Sequence, residues 1–163
     1  MNLELRRVHL DSASLIQEIL ESAPNYTRNT EGVENIPSDG IDSLNAIPEG
    51  CKHDQKYFMV VYQGDDDIGV VDLIFGFPDH ETAFLGLLLL RESHQGTGLG
   101  KETYLAVESL VREKGFRKVR LAVVDSNPVQ RFWEKLGFRE TGVVRSHEGR
   151  NLRSTKRVLE KRL

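Results

Sequence analysis

Apolar and polar residues follow two different periods along this chain, and the periods divide it into predicted strands and helices. Stretches in which apolar and polar positions alternate, or in which apolar residues form a short run, predict strands. The predicted strands cover 3–8, 57–62, 68–77, 82–90, 119–124, 138–144 and 152–161. Only short turns separate the strands between 57 and 90, so this part of the chain predicts a β-meander.

The second period, of three to four residues, predicts three helices. The first follows a cap at Asp11 or Ser12 and ends before Pro24. The second covers about 98–114 and the third about 128–136.

The segment between the first helix and the meander, residues 25–54, shows neither period. It is polar and contains two prolines and three glycines. We therefore predict a long loop with one short helix around 38–44. Long segments of this kind inside a compact domain are usually functional, and we expect this one to lie on the substrate-binding side of any active site.

The order of the predicted elements indicates an α/β protein. The strand–helix–strand sequence from 82 to 124 predicts two parallel strands with a right-handed connection. We predict one domain over 1–163, with a mixed sheet of six or seven strands flanked by about four helices.

Composition and charge narrow the class of protein. The chain is 39% apolar, which is ordinary for a globular fold, and its net charge of −3 argues against a nucleic-acid partner. The one cysteine, Cys51, cannot form an internal disulfide, and the first residues lack a signal-peptide pattern. The longest purely apolar run, 87–90, is too short to cross a bilayer. We expect a cytoplasmic protein without a membrane segment.

A glycine-rich loop, residues 95–101, separates a predicted strand from a predicted helix. Glycines and an amino-terminal helix end together suit phosphate binding, because backbone amides approach the ligand and the helix dipole favours an anion. A P-loop is excluded, since Gln95 and Glu102 stand where it needs glycine and Ser or Thr. A dinucleotide fingerprint is excluded as well, since its last glycine would fall at Lys101 or Thr103.

The loop resembles the pyrophosphate loop of the GNAT acetyltransferase superfamily, Gln/Arg-x-x-Gly-x-Gly/Ala, through Gln95, Gly98 and Gly100. A later segment resembles the family pattern Asn-x-x-x-x-Phe/Leu-Tyr-x-x-x-Gly-Phe through Asn127, Phe132, Trp133, Gly137 and Phe138. The resemblance covers about 3–163 and is weakest over 25–54.

This resemblance implies an acyl-CoA N-acyltransferase fold and acetyl-CoA as co-substrate. The acetyl group would pass by direct attack, in a ternary complex, to a primary amine of a small molecule or peptide. The pantetheine arm would bind along a splayed strand and the pyrophosphate at the loop amides. The implied cofactor residues are Leu88, Leu89, Leu90, Gln95, Gly96, Thr97, Gly98, Leu99, Gly100, Lys101, Asn127 and Trp133. A homodimer is compatible with the sequence.

Two positions in the second segment have competing interpretations. The tyrosine that often serves the family as general acid is replaced by Trp133, whose indole N–H cannot supply a proton. Trp133 then packs against the arm or fills core, and Ser126 or water would assist the leaving thiolate. Asn127 either contacts the cofactor or caps the following helix, and Ser126 is the other candidate for this cap. The replacement also leaves open an alternative function, a CoA-binding sensor or regulatory module with weak turnover.

The general base has two candidates among the carboxylates of the meander. Asp72 lies in an apolar strand, and a hairpin turning near 79–80 would set it opposite Leu87, close to the expected thioester. A carboxylate there is costly unless it is paired or used, so a structural role is the alternative. Glu81, at the start of the third meander strand, is the second candidate. No residue spacing indicates a metal site.

Overall fold

Seven strands form one sheet in the computed structural model, which describes residues 2–163. The strands are β1 (Leu3–Arg7), β2 (Lys56–Gln63), β3 (Asp66–Phe75), β4 (Thr82–Leu90), β5 (Lys118–Val124), β6 (Arg139–Gly149) and β7 (Leu152–Arg162). Their order is β1-β2-β3-β4-β5-β7-β6. Only β4 and β5 are parallel; the other neighbours are antiparallel. The predicted mixed sheet and its one parallel pair are confirmed.

Helices cover both faces of the sheet. They are α1 (Ala13–Glu21), α2 (Pro24–Glu31), α3 (Asp39–Asn45), α4 (Leu99–Glu113) and α5 (Gln130–Lys135). Within residues 2–163, none of the helices combines the length and apolarity needed to cross a bilayer.

Each face of the sheet has its own buried apolar cluster. On one face α1 and α3 pack on β2 and β3 around Ile16, Leu44 and Phe58. On the other face α4 and α5 pack around Tyr104 and Trp133. Side chains of a strand alternate between the faces, so a strand covered on both sides reads as a continuous apolar run. The run in β2, Phe58 to Val61, has this origin.

The prediction of a loop with one short helix over 25–54 is wrong in part, because two helices lie there. The short helix predicted near 38–44 is present as α3, but α2 was missed. Pro24, taken as a stop, occupies the first turn of α2, where its missing N–H removes no hydrogen bond. The buried face of α2 carries Thr27 and Thr30 rather than aliphatic residues, so hydrophobic periodicity could not reveal it.

Strands β4 and β5 separate after a short paired stretch. They pair only at Thr82–Phe84 with Lys118–Arg120, and beyond these residues they diverge. On its other side β4 stays paired with β3, with a β-bulge that leaves Gly86 between two register pairs, Asp72 with Leu87 and Leu73 with Leu85. The predicted pairing of Asp72 with Leu87 is confirmed.

Candidate active site

A groove of about 600 Å³ fills the gap between the diverging strands. Residues 85–90 of β4 and 121–124 of β5 form two of its walls. Backbone groups of β4 that would pair with β5 in a continuous sheet instead face this groove. They suit an extended ligand that carries amides of its own.

The glycine-rich loop lies at one end of the groove. Gly96 and Gly98 have φ values of 71° and 86°, which side-chain-bearing residues rarely adopt, and a Cβ on either would meet no atom within 4 Å. Helix α4 begins at Leu99, and its first turn leaves backbone N–H groups without intrahelical acceptors. These amides, with the exposed Lys101 on the groove wall, form a site suited to a pyrophosphate.

Most of the residues implied by the resemblance line this groove. The exceptions are Thr97, whose hydroxyl donates to the His94 carbonyl at 2.7 Å, and Leu99, which lies in the core. The Gln95 side chain also has a structural contact, because its amide donates to the Leu90 carbonyl at 2.9 Å and fixes the loop to the end of β4.

Trp133 is a core residue that also reaches the groove wall. It is buried among the core aromatics and lines the groove. Its ring packs edge to face against Tyr104, Phe132 and Phe138, with centroids 4.9–5.7 Å apart. The site of the usual family acid therefore holds an aromatic wall instead of a proton donor.

Truncation of this wall should mainly destabilise the protein. We expect Trp133→Ala to lower the free energy of unfolding by about 3–5 kcal/mol, because it removes a buried indole and leaves a cavity. Denaturant unfolding monitored by circular dichroism would measure the loss. Val129→Ala, a smaller truncation on the same groove wall, is the comparison; equal losses would contradict a core role for Trp133.

Neither Ser126 nor Asn127 caps α5. The helix begins after Val129, and no side chain forms a cap hydrogen bond there, so the expected cap is wrong. The Ser126 hydroxyl instead donates to the Asn29 carbonyl, and Asn127 lies 3.5 Å from the Asn29 amide and lines the groove.

One face of α2 contributes the part of the groove that the sequence did not reveal. Asn25, Tyr26, Asn29 and Thr30 all line it. They occupy positions i, i+1, i+4 and i+5, which share one side of a helix. This spacing has a meaning only once the helix is known, so the sequence alone offered no signal for these four residues.

A second cavity, of about 230 Å³, adjoins the groove. Tyr26, Thr30, Gly86, Leu87 and Val124 line both spaces. A ligand in the cavity would meet the groove at the bulge of β4. The cavity is enclosed partly by α2 and α3, so the segment 25–54 forms one of its sides.

Asp72 lines this second cavity and pairs with Lys56. One carboxylate oxygen lies 3.0 Å from the Lys56 ammonium, which also donates to the Ala46 carbonyl at 2.6 Å. The other oxygen, Oδ1, is buried without a hydrogen-bond partner in the described chain. Burial raises the pKa of Asp72 above its ordinary 3.8, and Lys56 opposes the rise.

Gly86 leaves space above the Asp72 carboxylate. A Cβ at position 86 would lie 3.2 Å from Asp72 Oδ2. Glycine at the bulge therefore keeps the approach to this carboxylate open from the groove side.

Glu81 lies away from both spaces. It precedes the paired end of β4, where its carbonyl accepts from the Arg117 and Lys118 amides and its carboxylate lies 3.9 Å from the Arg117 guanidinium. The structure brings Asp72 to the junction of groove and cavity but not Glu81.

Tyr26 and Thr30 are the hydroxyl-bearing side chains of α2 that line both spaces, and the Thr30 hydroxyl donates to the Tyr26 carbonyl at 2.8 Å. Burial, followed by the negative charges of Asp39, Glu31 and Asp72, raises the pKa of Tyr26 to about 12. The Tyr26 hydroxyl therefore keeps its proton at neutral pH and remains a hydrogen-bond donor. Among residues 2–163, no group of three or more His, Cys, Asp or Glu side chains is arranged to hold a metal ion.

Comparisons with known proteins agree with this geometry. An acetyltransferase from Thermus thermophilus is 25% identical to this chain and superposes on it with a TM-score of 0.79. The match covers 100% of this chain and 98% of the Thermus chain. A spermidine N-acetyltransferase from Vibrio cholerae, solved with CoA and spermine, is 19% identical with a TM-score of 0.74, over 98% and 95% of the two chains.

A third similar structure is the PaiA N-acetyltransferase of Thermoplasma acidophilum in complex with coenzyme A. It is 19% identical, with a TM-score of 0.67 over the full length of both chains. No curated protein gives a significant match. The model of the acetyltransferase (GNAT) family matches residues 15–138. The chain therefore belongs to the GNAT family and is an N-acetyltransferase with acetyl-CoA as co-substrate.

Proposed function

We propose that this enzyme transfers the acetyl group of acetyl-CoA directly to a primary amine bound in the second cavity. The observation that carries the proposal is the junction at Gly86 and Leu87, where groove and cavity meet beside Asp72. Acetyl-CoA in the groove, with its pyrophosphate at the amides of 96–101, would direct its thioester to this junction. The acceptor would approach from the opposite side, through the cavity formed in part by 25–54.

Asp72 would act as the general base in this reaction. Its carboxylate lines the cavity and can accept a proton from the incoming ammonium, and its raised pKa makes it a better base than an ordinary aspartate. The freed amine attacks the thioester carbonyl carbon, forming the C–N bond. Collapse of the adduct breaks the C–S bond, and the second proton of the attacking nitrogen passes to the departing thiolate, so that CoA leaves as the thiol while Asp72 returns the first proton to solvent.

Tyr26 would donate a hydrogen bond to the leaving sulfur. A thiol has a pKa of about 8.5, below the value of about 12 for Tyr26, so the tyrosine stabilises the thiolate without giving up its proton. This role replaces the tyrosine that the family often carries where Trp133 stands.

Replacement of Tyr26 by phenylalanine should lower kcat about tenfold and leave the Kd for acetyl-CoA nearly unchanged. The effect is modest because a thiolate is already a fair leaving group, and one hydrogen bond to the charged sulfur contributes about 1.5 kcal/mol, which is about a factor of ten. Steady-state kinetics with calorimetric binding would separate the two quantities. Tyr62→Phe, which alters a tyrosine outside both spaces, is the control. An unchanged kcat in Tyr26→Phe would remove this residue from the mechanism.

The overall proposal is tested by thiol release from acetyl-CoA across a panel of amines. We expect release to depend on the amine and to yield one acetylated amine per CoA by mass spectrometry. Tight acetyl-CoA binding with no amine-dependent release would instead favour the sensor alternative. The panel should include cationic, neutral and anionic amines of equal length.

A further inference from the structure

The wall of the second cavity carries more negative charge than the proposed acetyl transfer requires. Three carboxylates line it, those of Glu31, Asp39 and Asp72, and no lysine or arginine does so. Lys56 neutralises Asp72 from the side. Glu31 and Asp39 form no ion pair within 4 Å in the described chain, so two negative charges in the cavity wall lack a cation.

These two carboxylates are poorly supplied with hydrogen bonds. Asp39 accepts only a long bond of 3.4 Å from the Ser43 hydroxyl, and Glu31 accepts the Arg150 backbone N–H at 2.7 Å. Burial and the neighbouring Glu31 raise the pKa of Asp39. A partly buried carboxylate with so few partners is costly, and a bound cation would offset that cost.

Other charges near the cavity do not replace this cation. The Arg150 guanidinium acts on Asp39 from a distance, but it is exposed and forms no ion pair with either carboxylate. His147 also lines the cavity, and its Nε2 lies 2.7 Å from the Thr30 carbonyl. The ring is thereby oriented by α2 and not by Glu31 or Asp39.

Part of the remaining cavity wall is apolar, beside the hydroxyl-bearing side chains of Tyr26, Thr27, Thr30 and Ser43. Leu20, Ile36, Phe58 and Leu87 provide its aliphatic and aromatic surface. Such surface favours methylene groups over polar ones. The volume of about 230 Å³ is below the roughly 300–1,000 Å³ typical of sites for drug-sized ligands.

We infer that the acceptor is a small aliphatic amine with a second positive charge, which Asp39 and Glu31 bind while the reacting nitrogen lies at Asp72. The inference rests on the proposed function and adds the substrate class to it. An acceptor with a carboxylate at the far end would meet two negative charges there and is disfavoured. A neutral end would leave both carboxylates without a partner.

Three acceptors of equal length test the inference: 1,4-diaminobutane, butylamine and 4-aminobutanoate. They present a positive, a neutral and a negative far end to the carboxylates. We expect kcat/KM for the diamine to exceed that for butylamine by about 10- to 100-fold, the range of one charge-assisted contact, and 4-aminobutanoate to be the poorest.

Substitution of Asp39 or Glu31 provides a second test of the inference. Asp39→Asn should reduce the ratio of the diamine to the butylamine kcat/KM about tenfold, and Glu31→Gln serves in the same way if that variant does not fold. Asp42→Asn is the matched control, because Asp42 lies on the same helix, bonds the Ser38 hydroxyl and does not line the cavity. Butylamine turnover equal to that of the diamine, or an unchanged ratio in both variants, would overturn the inference.

Failure of the proposed function gives a different pattern. If no amine releases thiol, calorimetric titration of 1,4-diaminobutane into the CoA-loaded protein tests the cation site alone. Binding by wild type that is weakened in Asp39→Asn supports the site without catalysis. No binding by wild type overturns it.

Discussion

Replacement of Gly98 by aspartate is expected to weaken acetyl-CoA binding about 100-fold or more. The new carboxylate would stand among the amides of 96–101 and repel the pyrophosphate. Loss of two charge-assisted hydrogen bonds, each contributing about 1.5–3 kcal/mol, gives at least this factor. Isothermal titration of acetyl-CoA into wild type and variant measures it directly.

Two further variants separate charge from backbone strain. Gly98→Ala introduces the strain of a side chain at a φ of 86° without a charge, and the space around it is open. Gly115→Asp introduces the same side chain at the same φ of 86°, also into open space, but at the far end of α4. We expect Gly115→Asp to lose stability and keep acetyl-CoA affinity. A folded Gly98→Asp protein with unchanged affinity would contradict the assignment of the phosphate loop.

The strands and the loop could be predicted because their determinants are local. Strands covered on both faces require continuous apolar runs, and these are visible in the sequence of β2, β3 and β4. A phosphate loop requires glycines at fixed spacing, and these are visible in 95–101. The register of Asp72 with Leu87 followed from the turn near 79–80, although the bulge at Gly86 could not be read from sequence.

Helix α2 and the cavity behind it were missed for a physical reason. The contacts of α2 are polar: Ser126 bonds to Asn29, His147 to Thr30, and the hairpin between β6 and β7 to Glu31. Such contacts join residues about a hundred positions apart and leave no periodic trace. Tyr26 therefore could not be recognised as a site residue, and Glu31 and Asp39 could not be seen to share a cavity.

The partner of Asp72 could have been found from the strand pairing. Asp72 pairs with Phe58, and Lys56 is two residues from Phe58, so both charged side chains lie on one face of the sheet. The Asp72 carboxylate is paired with Lys56 and also lines the cavity, so its substitution should affect both stability and catalysis.

Replacement of Asp72 by asparagine should lower kcat/KM by about 10²–10⁴-fold at pH 7, the usual contribution of a general base. Asparagine keeps the shape of the side chain but cannot accept the proton. The Kd for acetyl-CoA should barely change, since the cofactor groove stays intact. The rate deficit should narrow at high pH, where more of the amine is already deprotonated.

The same substitution leaves the Lys56 ammonium buried without its carboxylate. The Lys56 side chain is only 4% exposed, and breaking a buried pair from one side costs about 3–5 kcal/mol. A lower melting temperature is therefore expected whether or not Asp72 is the base. The double variant Lys56→Met with Asp72→Asn removes the orphaned charge, so it should recover stability and remain slow. Recovery of both stability and rate would identify Asp72 as a structural carboxylate only.

Lys56→Met alone should shift the pH dependence of kcat/KM, and a purely structural Asp72 would not produce this shift. Burial raises the pKa of Asp72, and the Lys56 ammonium opposes this rise. Without the ammonium, and with Glu31, Asp39 and Tyr26 unchanged in the cavity, the pKa of Asp72 should rise further. A base works only when deprotonated, so activity is lost as the pH falls through this pKa, and the acid limb of the kcat/KM profile should move to higher pH. An acid limb that stays in place, with a fully active Asp72→Asn enzyme at pH 7, would exclude Asp72 as the base.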